Sequence, residues 1–393
     1  MSLARNIDLL RYLPKVDGLR LGEFGRSADA SSPLEEVTGF GGNPGNLRMF
    51  AFVPAQLQKP RALVVVLHGC GQTAAAYDLG AGWSTLARHY GFALLMPEQQ
   101  RANNGNTCFN WFNPEDTARD SGEARSIREM IAHMTEAHRI DPKRIFITGL
   151  SAGGGMTSVM LATYPEVFAA GAVIAGLPYG IASNLREALD GMFHSPARPA
   201  RELGDLVRNA SNHRGPWPKM SVWHGSADRT VNPGNANEIV KQWLDLHDLP
   251  DVPMAETNVD GYPRQAWWNK DGETLVESFA ITDMAHGAPL GLADNDQRYG
   301  AEGAFLIEAG ISSSYHIAKF FGLTGWIPGA VKAKAEAKPA VAPTPKLSPA
   351  PHLARSIRSA VAEEPTEPKP EKARGFDLGE VITRALTAAG LMK

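Results

Sequence analysis

Arg144-Ile-Phe-Ile-Thr-Gly-Leu-Ser-Ala-Gly-Gly-Gly-Met156 is the stretch on which the reading of this chain turns. Its first half is an apolar, β-branched run of the kind found in a strand covered on both faces. A glycine-crowded turn follows with Ser151 at its apex, and Met156 to Tyr164 then carries a helical pattern that stops at Pro165. Gly149-Leu150-Ser151-Ala152-Gly153 fits G-x-S-x-G, in which small residues let the chain turn sharply enough to present a serine hydroxyl. A five-residue motif occurs by chance; the strand before it and the helix after it give it weight. The bland alternative is a glycine-rich strand-to-helix turn with a bystander serine.

Outward from this point, strand, loop and helix alternate. Upstream, Leu47 to Val53 reads as a strand, and so does the continuous run Leu63-Val-Val-Val-Leu67, which ends in His68-Gly69-Cys70-Gly71-Gln72. Trp83, Leu86, Ala87 and Tyr90 then fall at helical spacing. Gly91 to Pro97 is the next strand, followed by a polar loop, the aromatic cluster Cys108-Phe-Asn-Trp-Phe112 and a helix marked by Ile127, Met130, Ile131 and Met134. Downstream, Ala170 to Ala175 and Met220 to His224 are strands, with a helix around Ile239 and Trp243. Two more strands (Arg264 to Trp268, Leu275 to Ile281) precede a last helix near Ser312 to Phe321. Successive βα units predict an α/β fold: a mostly parallel, doubly wound sheet with helices on both faces. Gly176 to Pro218, short amphipathic pieces rich in Gly, Pro, Asn and Arg, is expected as a small insertion over the sheet edge, a lid or pocket wall.

Residues 1–36 read as an N-terminal extension and 37–327 as the folded domain. Beyond Ile327 the composition shifts to Ala, Lys, Pro and Glu, so 328–374 is expected to be a disordered linker. Residues 375–393 carry Phe376, Leu378, Val381, Ile382, Leu386 and Ala389, a short amphipathic helix that is either a frayed tail or a contact element for a polymer granule. The chain has 393 residues, 43% of them hydrophobic, enough for a sizeable core. A net charge of -3 gives no footprint for nucleic acid. No run reaches the roughly 18 apolar residues of a membrane span. Arg5, Asp8 and Arg11 interrupt the apolar N-terminus, so no secretory signal is read there and a cytoplasmic location is favoured.

A serine hydroxyl needs a base to take its proton and an acid to orient that base. Asp228 follows the strand ending at His224, and His286 sits in the Gly-flanked loop Asp283-Met-Ala-His-Gly-Ala-Pro289 after the strand ending near Ile281. Ser151, Asp228 and His286 thus stand in the order serine, acid, histidine, each after its own strand, which is the order of α/β-hydrolases. Alone, such an Asp reads as a turn cap and such a His as structural. The oxyanion of a tetrahedral intermediate needs two donors. The backbone amide of Ala152 is the first, and the amide of Cys70 in the Gly69-Cys70-Gly71 loop is the choice for the second. His68, at a strand end, reads as a loop brace.

Together, His68-Gly-Cys-Gly-Gln72, Cys108-Phe-Asn-Trp-Phe112, Gly149-Leu-Ser-Ala-Gly-Gly154, His224-Gly-Ser-Ala-Asp228 and Met284-Ala-His-Gly287 resemble the poly(3-hydroxybutyrate) depolymerase esterase family. That family also holds feruloyl and acetylxylan esterases. The resemblance covers roughly residues 37 to 324 and implies a serine carboxylic ester hydrolase of the α/β-hydrolase fold, with the same three residues as its triad. No cofactor is expected. The runner-up function is a feruloyl or acetylxylan esterase, and from another class, an inactive hydrolase-like binding module, against which the intact triad order speaks.

Cys70 and Cys108 are the only cysteines. Both follow neighbouring strands on the edge that carries the serine, which permits a bridge; two buried free thiols are the alternative. His213, His224 and His247 lack ligand spacing, so no metal site is expected. For the substrate, Trp111, Phe112, Tyr179 and Trp267 are the aromatic residues expected to wall the cleft, favouring acyl groups of about two to four carbons.

Overall fold

Leu63, Val64, Val65, Val66 and Leu67 are all fully buried, and successive residues serve opposite sides of one sheet. Leu63, Val65 and Leu67 belong to one hydrophobic cluster, Val64 and Val66 to the other. This two-sided burial makes the strand a continuous apolar run rather than an alternating one. The computed structural model describes residues 32–325. The expected linker, the C-terminal helix with its granule contact and most of the N-terminal extension lie outside the described residues.

The strands are β1 (Glu35–Val37), β2 (Arg48–Phe52), β3 (Leu63–Leu67), β4 (Ala93–Glu98), β5 (Ile145–Leu150), β6 (Ala170–Ile174), β7 (Lys219–Gly225), β8 (Ala255–Val259), β9 (Tyr262–Trp268) and β10 (Thr274–Ile281). They form one sheet in the order β1-β2-β4-β3-β5-β6-β7-β10-β9-β8. The centre, from β4 to β10, is parallel; β1 and β2 at one edge and β9 and β8 at the other run antiparallel. Two short strands, β11 (Ala288–Leu290) and β12 (Leu306–Glu308), pair separately.

The helices are α1 (Ala74–Ala81), α2 (Trp83–Tyr90), α3 (Pro114–Thr117), α4 (Gly122–His138), α5 (Ala152–Thr163), α6 (Leu185–His194), α7 (Ala200–Asn209), α8 (Gly234–His247) and α9 (Ser313–Phe320). Ile127 and Met130 of α4, Met156 and Val159 of α5, Val207 of α7 and Trp243 of α8 cover one face. Tyr77 of α1, Leu86 of α2 and Ile317 of α9 cover the other. The result is the expected α/β-hydrolase architecture. Since the chain runs from β3 to β4 on one side and then to β5 on the other, the strand order reverses at β3, and the crevice beyond the carboxyl ends of β3 and β5 is where such sheets hold their ligands.

Elements without a sequence signal also appear. β8 is exposed at its three central positions, so it offers no apolar alternation to read. α1, within Ala74-Ala-Ala-Tyr-Asp-Leu-Gly-Ala81, has little amphipathic contrast; the Thr73 side chain caps it and Gly82 ends it in the left-handed region. The insertion contains α6 and α7, and Pro178, Ile181, Asp190, Ser195, Arg198 and Asn235 help to line a cavity of about 430 Å³. Residues of α8 complete that lining, and Ser151 is not part of it.

Candidate active site

Ser151 sits between β5 and α5 with φ 57° and ψ -118°. This is a strained conformation for a residue with a side chain, and it persists only where the surroundings over-determine it. Here its amide donates to Ile174 O (2.9 Å) and its carbonyl accepts from Gly155 (2.9 Å). Gly153 lets the turn fit, because a Cβ there would overlap the carbonyl oxygens of Leu67 and His68 at the end of β3. The turn therefore holds the serine at the carboxyl edge of the sheet.

The loops carrying the other two residues are stitched to each other. Ser226 N donates to Ile281 O (2.9 Å) and Ala227 N to Met284 O (3.0 Å). Gly225 permits this closeness, since a Cβ on it would run into the Met284 carbonyl. On the far side, Ala288 N donates to Phe305 O (2.9 Å), and the Phe305 ring meets His286 edge-on with centroids 5.8 Å apart.

Within this frame His286 Nε2 lies 2.9 Å from Ser151 Oγ, and His286 Nδ1 lies 2.7 Å from Asp228 Oδ2. A carboxylate only accepts, so the ring hydrogen resides on Nδ1 and Nε2 is left to accept the serine hydroxyl. Asp228 and His286 are buried while Ser151 is half-buried, so the hydroxyl remains open to solvent. Asp228 Oδ1 accepts from the amides of Thr230 (2.8 Å) and Val231 (2.9 Å). Burial alone would raise the Asp228 carboxyl, but hydrogen bonds from His224 and His286 outweigh it and hold the group well below the usual carboxylate range. The carboxylate is thus held in its charged form beside the imidazole.

The amides of Cys70 and Ala152 have no acceptor among the described residues. That of Gly69 is taken by Gln72 Oε1 (2.9 Å) and that of Gly71 by Asn106 O (2.8 Å). Ala152 also opens α5, whose positive dipole end favours a nearby anion. His68 is engaged at both nitrogens, Nδ1 with Gly69 O (2.8 Å) and Nε2 with Gln99 N (3.1 Å), and burial holds it down at about 4. It braces the loop.

Cys70 and Cys108 are joined by a disulfide, which ties the loop after β3 to the aromatic loop. Glu123 anchors that second loop from beneath, accepting from Asn110 N (2.9 Å), Asn110 Nδ2 (2.7 Å) and Gln99 Nε2 (2.5 Å). Burial, with the charge of Asp116, pushes its carboxyl up to about 8. The loop lays Trp111, 8% exposed, against Gly155 in the first turn of α5, with Phe112 edge-on to it at 5.5 Å. Tyr179 is half-buried, its backbone bracketed by the Gln242 side chain. Trp267 corrects the expectation: it is 1% exposed in the core, its indole Nε1 bonded to Val252 O (3.1 Å), because β9 turns it onto the helix-covered face. It does not wall a cleft.

The sequence reading missed Glu123 and His224. His224 Nε2 lies 3.2 Å from Asp228 Oδ2, and the visible signal is its place four residues before Asp228 in one motif. Among the described residues Asp260, Asp294 and His316 converge as a metal site would, but His316 already pairs with Asp260 (2.8 Å) and Asp294 with Lys319 (2.6 Å).

Residues 49–261 match the profile of the family described as Esterase PHB depolymerase. Poly(3-hydroxyalkanoate) depolymerase C of Paucimonas lemoignei is 44% identical over 300 residues, spanning 76% of this chain and 72% of the relative. An acetylxylan esterase of Coprinopsis cinerea is 34% identical, over 65% of this chain and 69% of the relative. The solved acetyl xylan esterase from Aspergillus awamori superposes with a TM-score of 0.62 at 25% identity, covering 74% of this chain and 99% of that one. On sequence, fold and the placement of its motifs, the chain belongs to the PHB depolymerase family of serine carboxylic ester hydrolases.

Proposed function

We propose that the protein cleaves short-chain or hydroxyalkanoate esters, of the poly- or oligo-3-hydroxybutyrate kind, through an acyl-enzyme on Ser151. The observation that carries this reading is the unbroken chain from Ser151 Oγ through His286 to Asp228, with links of 2.9 and 2.7 Å. Ser151 Oγ attacks the ester carbonyl carbon as its proton passes to His286 Nε2, and Asp228 steadies the imidazolium. The amides of Ala152 and Cys70 receive the oxyanion. Collapse breaks the bond to the alcohol oxygen, which leaves with the proton from His286. Water, giving a proton to the same nitrogen, then attacks the acyl carbon; the acid departs and the serine hydroxyl is restored.

The substrate class draws support from the 44% identical relative named as a poly(3-hydroxyalkanoate) depolymerase. Trp111, packed against Gly155 one helical turn after Ser151, and Phe112, edge-on to Trp111, would supply the compact aromatic surface that a small hydroxyacyl group uses, with half-buried Tyr179 as a further candidate. An acetylxylan or feruloyl ester is the competing substrate, favoured by the relatives of those names. The test is kcat/KM for hydroxybutyrate oligomers, p-nitrophenyl acetate, butyrate and octanoate, methyl ferulate and acetylated xylan. Oligomers and the two-to-four-carbon esters should lead. A maximum at octanoate, ferulate or xylan would reassign the substrate. Ser151→Ala should fold normally and lose roughly 10⁴-fold or more in kcat; a variant with wild-type turnover would remove the mechanism.

A further inference from the structure

His224 lies outside the chain from serine to acid, yet it touches the acid. It stands near the end of β7, 3% exposed, and the turn through Gly225 and Ala227 brings Asp228 back over it. Its Nε2 is 3.0 Å from Val231 O and 3.2 Å from Asp228 Oδ2. Both neighbours are acceptors, so the ring hydrogen is on Nε2; it is hydrogen-bonded to Val231 O, with Asp228 Oδ2 at close electrostatic contact beside it. Nδ1 is buried with no partner among the described residues. An imidazole with one unpaired buried nitrogen is a costly way to fill space that a phenyl ring could fill. Among the described residues its side chain's directional contacts go to the segment 228–231, and its register neighbour on β10, Ala280, carries no charge.

We infer that His224 is a positioning residue for ester hydrolysis, clamping Asp228 Oδ2 and Val231 O together so that the carboxylate faces His286. Asp228 is then held at both oxygens. Thr230 N and Val231 N fix Oδ1, while His224 and His286 share Oδ2. This contact has a chemical consequence besides the geometric one. The positive end of the His224 Nε2–H dipole, 3.2 Å from Oδ2, offsets part of its charge, so Asp228 stabilises the imidazolium of His286 less strongly than a carboxylate without that neighbour would. Without His224 the acid would be looser but more basic toward His286.

This inference rests on the ester-hydrolase reading, and the experiment separates the two. Wild type, Ser151→Ala, His224→Phe and His224→Gln are compared on p-nitrophenyl butyrate, with active sites titrated and kcat/KM followed against pH. His224→Phe should lower kcat roughly tenfold with KM within about twofold, as expected for a misaligned transition-state contact. It should also move the acidic limb of the profile upward by several tenths of a pH unit. His224→Gln, whose amide nitrogen can occupy the place of Nε2, should recover most of both. If His224→Phe does not fold, His224→Asn, too short to reach Asp228, replaces it with the same expected values. An unchanged kcat per titrated site, or an unmoved acidic limb, would assign His224 to packing and overturn the inference. Inactive wild type, or a fully active Ser151→Ala, would instead overturn the ester-hydrolase reading.

Discussion

At Ser151 the backbone stands at φ 57° and ψ -118°, a cost of about 1–3 kcal/mol that neighbouring hydrogen bonds and the close contact of Gly153 with β3 sustain. Strain at Ser151 is matched by close approach in the His286 loop. Gly225 is the residue on which the His286 loop rests, and the obstacle to a side chain there is backbone, which cannot rotate away. Gly225→Ala should therefore push Met284 and His286 outward, lowering kcat by on the order of 100-fold and stability by about 1–3 kcal/mol. Activity assays with urea titrations check both. Retention of wild-type kcat would show that the loop can shift without moving the imidazole.

Among the elements, the two loops beyond β3 and β4 work as one part. The disulfide joins them, Gln99 bridges His68 to Cys108 and Glu123, and Glu123 holds Asn110. His68 is one pH-sensitive member besides Glu123, held by burial at about 4 against an ordinary 6.5. Between those values the unfolded chain takes a proton that the folded protein refuses. Its contribution is therefore complete above pH 6.5 and is lost as pH falls toward 4. Over that window wild type should lose roughly 2–3 kcal/mol that His68→Gln does not lose, measured by urea unfolding at pH 7 and pH 4.5. Equal losses in both proteins would place the acid sensitivity elsewhere.

For the whole molecule, the described core closes at α9 and the fully buried Leu323. From the Ala, Lys, Pro and Glu composition of residues 328–374, a chain ending at residue 327 is expected to keep its thermal midpoint within about 2 °C and its turnover of soluble esters. A larger fall in either would mean that the tail contributes to the domain. Loss confined to granular polymer would make the terminal segment an adsorption element.

How much of this was legible follows from the range of the forces involved. The central strands could be read because burial on both faces imposes a continuous apolar run, as in Leu63 to Leu67, and the turn at Ser151 because its geometry demands small residues within five positions. Those local demands determined the α/β class, the order Ser151, Asp228, His286, and the helices with one apolar stripe, such as α4 and α8. β8 and α1 carried no such stripe and formed through pairing and packing supplied by the rest of the chain. Only the tertiary structure decided that Trp267 faces the core, since a strand residue's exposure depends on what covers its face. It alone placed His224 against Asp228 Oδ2 and Glu123 beneath the aromatic loop, because a buried polar side chain takes its meaning from partners that the fold brings within about 3 Å, wherever they stand in the sequence.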